Sequence, residues 1–189
     1  MVWNKTRRDK VIYLTFDDGP IPDVTDFVLK TLNTFNAKAT FFCIGDNIVK
    51  HPAVFERVVA GGHQLANHTY NHLKGWKTDD QAYVENMHLC QQLTQSHLFR
   101  PPYGRIKKSQ VKRIKTRYPK IQIIMWDVLS GDFDQQLSPE NCYKNVIKHT
   151  DNGSIIVFHD SIKAFERLQY TLPRVLKYFQ ERGFTFATL

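Results

Sequence analysis

The sequence predicts an α/β domain built on a parallel sheet, and three observations carry that expectation. Apolar, β-branched runs alternate with stretches of helical period, the alternation repeats about seven times without a break in composition, and five consecutive runs end in polar or charged residues. Strand–helix–strand repetition buries a parallel sheet under helices, either as a doubly wound open sheet or as a barrel. In both architectures functional side chains collect at the C-terminal ends of the strands. Glycine patterns that cradle phosphates are absent, which removes the main argument for a nucleotide fold.

The strand candidates are VIYLTF (11–16), ATFFCI (39–44), HQLAN (63–67), HLFR (97–100), IQIIMW (121–126), SIIVFH (154–159) and FTFAT (184–188). Between them, Val24, Phe27, Val28, Leu32 and Phe35 share one helical face, Val54, Val58 and Val59 a second, and Tyr83, Met87, Cys90 and Leu93 a third. Ser138 followed by Pro139 reads as an N-cap with proline at the first helical position, opening a helix toward His149. Leu172, Val175, Leu176 and Phe179 form the last face, which stops at Gly183.

At 189 residues, 42% hydrophobic and 13% aromatic, the chain is one folded domain able to bury a core without staples. Cys43, Cys90 and Cys142 are odd in number and far apart, so they read as reduced and buried, pointing to a reducing compartment. No run approaches the ~20 apolar residues of a membrane span, and MVWNKTRRDK is not followed by the apolar segment of a secretory signal. The expected location is therefore cytoplasmic or the cytoplasmic membrane face, or periplasmic if a leader has been trimmed. The net charge of +8 is concentrated between Arg105 and Lys120, where eight of sixteen residues are Lys or Arg. Val111, Ile114 and Tyr118 give that stretch a helical apolar face, so its cations form a solvated flank or a docking surface for an anionic membrane or polymer. No nucleic-acid-binding motif accompanies the charge.

The first strand ends in adjacent carboxylates, Asp17 and Asp18, which repel each other unless a cation lies between them. His68 and His72, at i and i+4, suit one side of a helical turn and two bonds to one metal ion. Two imidazoles and a carboxylate leave a coordination position open, as in catalytic zinc sites. One aspartate of the pair is then a ligand, and the other is placed to take a proton from water beside the ion. Arg100 offers a planar fork that grips a carboxylate at two points. His159 ends a strongly apolar strand and suits a general acid, with Asp132 or Asp127 favouring its imidazolium.

TFDDGP at 15–20, NHTYNH at 67–72, RPPYG at 100–104, the GDF segment at 131–133 and VFH at 157–159 stand in the order of five known motifs. From residue 11 to about 188 the chain resembles a polysaccharide deacetylase of carbohydrate esterase family 4, the NodB-homology domain. The resemblance implies a distorted (β/α) barrel of about seven parallel strands, with residues 1–10 as an N-terminal extension and 11–189 as the catalytic domain. It implies Asp17 as the base, Asp18, His68 and His72 as ligands of one divalent metal (zinc expected, cobalt or nickel acceptable), and Arg100 as the partner of Asp17. It also implies that the Tyr103 N–H holds the oxyanion, that His159 is the acid and that Asp132 tunes it. The fourth motif usually ends in Asp-Trp. Phe133 here keeps an apolar wall for a sugar face but lacks the indole N–H.

The implied reaction is metal-dependent removal of N-acetyl groups from an acetamido sugar in a glycan. A related hydrolase of a small amide, imide or ester is one alternative, and a non-catalytic carbohydrate-binding domain another.

Overall fold

The computed structural model describes all residues, 1–189. Eight parallel strands build one sheet: β1 (Val11–Asp17), β2 (Ala39–Cys43), β3 (Gln64–Asn67), β4 (Leu98–Phe99), β5 (Gln122–Ile123), β6 (Val128–Leu129), β7 (Ile155–His159) and β8 (Thr185–Phe186). Seven follow the path β5-β4-β3-β2-β1-β7-β6, and β8 pairs with the start of β1 beside it. The sheet is a distorted barrel left open between β5 and β6. There the first residues of the chain bridge the edge, Val2 pairing with Ile124 and Asn4 with Ser154. The helices are α1 (Val24–Thr34), α2 (Gly45–Lys50), α3 (Pro52–Ala60), α4 (Asp80–Thr94), α5 (Lys108–Arg117), α6 (Pro139–His149) and α7 (Phe165–Gln180). None is long and apolar enough to cross a membrane.

Side chains alternate along a strand, and this period of two separates core from site. On β1, Ile12, Leu14 and Phe16 enter the core shared with α1 and α7. Tyr13 packs in the apolar cluster lining the barrel interior, and Thr15 and Asp17 fall on that same face. The neighbouring strands obey the same rule in register. Phe16 stands opposite Phe41 and Phe158, and the three rings stack at centroid distances of 5.1 and 5.9 Å. One residue further, Asp17 is opposite His159, so the switch of face that buries phenylalanines on one side delivers an acid and an imidazole to the other.

Most of the expected elements form where the apolar pattern places them. Ser138 Oγ accepts the Asn141 N–H at 3.2 Å and caps α6 behind Pro139. The face of α7 is buried, and Gly183 ends it at φ 77°. Three features differ. Strand β6 has no signature in the sequence, because two residues flanked by polar ones carry no alternation; pairing with Ile156 and Val157 of β7 makes it a strand. Asp132 therefore follows β6 rather than β5. Helix α2 is too short to show a period, and Val59 lies off the buried face of α3, half exposed. The three cysteines are free and buried.

Because Phe16 joins the strands that carry the site, Phe16→Ala is expected to cost about 3–5 kcal/mol. The check is a drop in the denaturant midpoint with an unchanged slope.

Candidate active site

Arg100, at the end of β4, is fully buried and organises the centre of the barrel mouth. Its Nη1 donates to Asp17 Oδ1 at 2.6 Å and to Thr15 Oγ1 at 2.7 Å. The remaining donors go to the Ile124 carbonyl, from Nε at 3.3 Å, and the Met125 carbonyl, from Nη2 at 3.1 Å. Phe42 lies 4.0 Å beneath the guanidinium. The expected two-point grip on a carboxylate does not form, since backbone carbonyls of the neighbouring segment take the second arm of the fork. Asp17 Oδ2 is left without this partner. Burial lowers the Arg100 pKa and the Asp17 carboxylate opposes it, so the charges hold each other in place.

His68 and His72 converge on Asp18 without a helical turn. Residues 68–72 form a loop in which Thr69 and His72 adopt positive φ of 65° and 56°. Asn67 and Asn86 impose that path: Asn67 Oδ1 accepts the Thr69 N–H, and Asn86 Oδ1 accepts those of Tyr70 and Asn71. His68 Nε2 and His72 Nε2 lie 3.8 and 3.2 Å from Asp18 Oδ1. The three ligand atoms fall within 4.8 Å of one another. Burial, then the neighbouring His72, pushes the His68 pKa well below its ordinary value, and burial also lowers that of His72. Both rings are thus neutral at neutral pH. His68 Nδ1 is 2.8 Å from the Arg100 carbonyl, which only accepts, so this nitrogen carries the proton and Nε2 presents its lone pair.

The donor set fits a divalent ion. Asp18 Oδ1 is buried and accepts no hydrogen bond, although His72 Nε2 is 3.2 Å away. A buried carboxylate oxygen that accepts no hydrogen bond and faces the lone pair of His68 is costly unless a cation lies between them.

His159 faces this cluster from the end of β7. Its Nδ1 lies 2.8 Å from Oδ1 of the fully buried Asp132, whose Oδ2 accepts the His159 N–H at 2.7 Å. Arg167 Nε donates to the Asp132 carbonyl at 2.8 Å and fixes that loop. Burial alone lowers the His159 pKa. The Asp132 charge and hydrogen bond outweigh it, so the net value rises to about 9. Asp127, the other expected partner, lies elsewhere: it takes Arg7 at 2.7 Å and the Ile155 N–H at 2.7 Å, at the opposite end of β7.

No local pattern marks Asp160, because its partners are 135 and 141 positions away. It accepts the Gly19 N–H at 2.9 Å and the Thr25 hydroxyl at 2.7 Å, anchoring the loop that follows Asp17 and Asp18. A Cβ on Gly19 would sit 1.9 Å from its carboxylate, so only glycine passes there. Burial raises the Asp160 pKa to about 7 against those two hydrogen bonds.

Tyr103 has φ 60°, its N–H has no acceptor within the chain, and its ring lies 4.6 Å from that of His72. Gly104, at φ 65°, leaves no room for a Cβ beside Trp126. Phe133 meets the His159 ring edge-on at 5.2 Å. Asp17, Asp18, His68, His72, Tyr103, Phe133 and His159 line one groove of about 570 Å³, together with Trp76, Trp126 and Leu129. The basic stretch after Arg105 forms α5, which packs through Ile114; Lys107 pairs with Asp80 at 3.6 Å and Arg117 with Glu85 at 2.8 Å.

An arginine-held carboxylate, an Asp–His–His cluster and an imidazole–carboxylate pair, gathered at the C-terminal mouth of a (β/α) barrel, define a hydrolase that works with a divalent ion. Relatives narrow the class. The polysaccharide deacetylase family model matches residues 4–117. The chain is 30% identical to a peptidoglycan-N-acetylglucosamine deacetylase of Bacillus cereus, over 100% of this chain and 91% of that one. It is 29% identical to a chitooligosaccharide deacetylase of Azorhizobium caulinodans, over 97% and 95% respectively. A crystal structure of a peptidoglycan N-acetylglucosamine deacetylase superposes with a TM-score of 0.90 at 27% identity, covering 100% of this chain and 90% of that one. The chain belongs to the polysaccharide deacetylase family.

Asp132→Asn removes the principal charge that holds the imidazolium and leaves only Asp17 and Asp18 to oppose burial. The His159 pKa is expected to fall from about 9 toward its ordinary range, as read from the imidazole carbon shifts in an NMR titration.

Proposed function

We propose that this protein removes the acetyl group from an acetamido sugar of a glycan, releasing acetate and leaving the free amine. The observation that carries this reading is the arrangement of three units on one groove: Asp17 with Arg100, Asp18 with His68 and His72, and His159 with Asp132. An amide needs a nucleophile, stabilisation of its carbonyl oxygen and a proton for the departing nitrogen. Each unit answers one of those needs.

Asp18, His68 and His72 would hold the metal. Zinc is the ion the ligand set favours, and cobalt and nickel are acceptable to the same donors. Bound there, it supplies a Lewis acid that acidifies water and polarises the acetyl carbonyl. Asp17, held through Oδ1 by Arg100, accepts the proton from the attacking water through Oδ2. The unpartnered Tyr103 N–H donates to the carbonyl oxygen as charge develops on it. The His159 imidazolium gives its proton from Nε2 to the nitrogen as the C–N bond breaks, and Asp132 holds the ring in that orientation. Acetate and an amine leave.

The groove favours a glycan over a small amide, imide or ester. Trp76 and Tyr103 are 60% and 51% exposed, and Phe133 and Leu129 are also open to solvent. Exposed rings on a wide groove suit the apolar faces of successive sugars, whereas a small substrate calls for enclosure. Phe133 in place of the usual tryptophan supplies the wall beside His159 without a donor. A purely binding domain has no need of a buried base, its arginine and an imidazolium.

Asp17→Asn is expected to retain its metal and lose at least ~100-fold in acetate release from acetylated chito-oligosaccharides. A variant keeping more than a few per cent of the wild-type rate would remove Asp17 from the base role. Chelator should abolish the wild-type activity, and the rate should fall as pH rises through about 9, where His159 loses its proton.

A further inference from the structure

The chain's charge asymmetry lies in one place. Of its 26 Lys and Arg, eight fall within residues 105–120 and 18 elsewhere, where they are balanced by 18 Asp and Glu; residues 105–120 contain no acid. Most of that stretch is α5, which buries Gln110 and Ile114, so its cations are confined to the outside of the barrel. Lys108, Lys112 and Lys115 follow one another at spacings of four and three and form a single exposed row, with Arg113 and Lys120 exposed beside it. The acids of the neighbouring α4 are already engaged, Asp80 by Lys107 at 3.6 Å and Glu85 by Arg117 at 2.8 Å. Lys108, Lys112, Lys115 and Lys120 make no ion pair and donate no side-chain hydrogen bond within the protein, and Arg113 reaches only Gln81 Oε1 at 3.5 Å.

The adjoining sheet edge adds apolar surface. Val2 pairs with Ile124 and joins the cluster inside the barrel. By the period of two, Met1 and Trp3 turn to the outer face, the one on which Ile114 of α5 packs with Ile121 and Ile123. Both are open to solvent, 58% and 50% exposed. The Trp3 indole N–H has no acceptor within the chain. An exposed indole and thioether thus flank a helix that carries only cations on its outer side.

Like charges three and four residues apart on a helix repel one another, and nothing inside the protein relieves this row. We propose that α5 and the Met1–Trp3 segment dock the protein on an anionic lipid bilayer, with Lys108, Lys112, Arg113, Lys115 and Lys120 against the headgroup phosphates and the Trp3 indole at the interface. A phosphate layer neutralises the whole row at once. The indole, apolar in body and with a free N–H, matches the depth at which apolar chain gives way to wet headgroup. A soluble polyanion would use the cations and leave Trp3 and Met1 idle. The contact is peripheral, since no helix is long and apolar enough to cross a membrane. None of these residues lines the catalytic groove, so docking leaves the groove unobstructed and is independent of the reaction assigned to it.

The test is co-sedimentation of the full chain with vesicles of phosphatidylglycerol and phosphatidylcholine, compared with vesicles of phosphatidylcholine alone. Binding to the anionic vesicles, absent on the neutral ones and weakened by salt, is the expected result. Each cation at such a surface contributes roughly fivefold in affinity. The Lys108→Gln/Lys112→Gln/Lys115→Gln variant should therefore bind about 100-fold more weakly. Its unfolding midpoint should match the wild type, because all three side chains are exposed and unpartnered. Anionic vesicles should shift the tryptophan emission to the blue, and Trp3→Ala should abolish that shift. No binding to anionic vesicles, equal binding to neutral ones, or an affinity that the triple variant retains would overturn the proposal. Inorganic polyphosphate bound as tightly as the vesicles, with no emission shift on either, would give this face to a soluble polymer and overturn it as well.

Discussion

The buried pair of Arg100 and Asp17 is the interaction on which fold and site both depend. A guanidinium with no exposed surface is tolerable only when its charge is matched and its donors are filled. Asp17 and Thr15 from β1, and the Ile124 and Met125 carbonyls beyond β5, meet those needs from opposite sides of the barrel. The same residue's carbonyl takes the Nδ1 proton of His68. One arginine thus orients the carboxylate proposed as base and fixes the tautomer of a metal-ligand candidate. Removing a partner from such a pair leaves an uncompensated buried charge, a loss on the order of 3–5 kcal/mol.

Around that pair the barrel mouth keeps four buried carboxylates apart by giving each a different partner. Asp17 has the arginine, Asp18 the two imidazoles, Asp132 the His159 ring, and Asp160 the Gly19 N–H and Thr25 hydroxyl. Their chemical distinctness comes from this division. Burial outweighs Asp18 and lowers the pKa of the imidazoles beside it, while the charge and hydrogen bond of Asp132 outweigh burial and keep a proton on His159. The parallel sheet makes such sorting feasible, since every strand delivers its last residue to one end.

Much of this was legible in the sequence because strands announce themselves by period, and their polar ends then stand out. The alternation through Tyr13, Thr15 and Asp17, and the lone imidazole closing an apolar run at His159, place the site before any coordinate does. What stayed hidden was local conformation under tertiary control. A spacing of four between His68 and His72 looks the same in a helix as in a loop, and here two left-handed residues held by Asn67 and Asn86 make the loop. The division of Arg100 between one carboxylate and two carbonyls depends on the end of β5, which no local pattern reveals. Asp160 escaped notice for the same reason, its partners lying on β1's loop and α1. Strand β6 exists only because β7 pairs with it.

The account stands most directly on the convergence of Asp18, His68 and His72 upon one cation. Calorimetric titration of chelator-stripped protein with zinc at neutral pH measures it. One ion per chain, with binding abolished by His68→Ala, is the predicted result; heat without a defined stoichiometry, or saturation that the variant leaves unchanged, would contradict it.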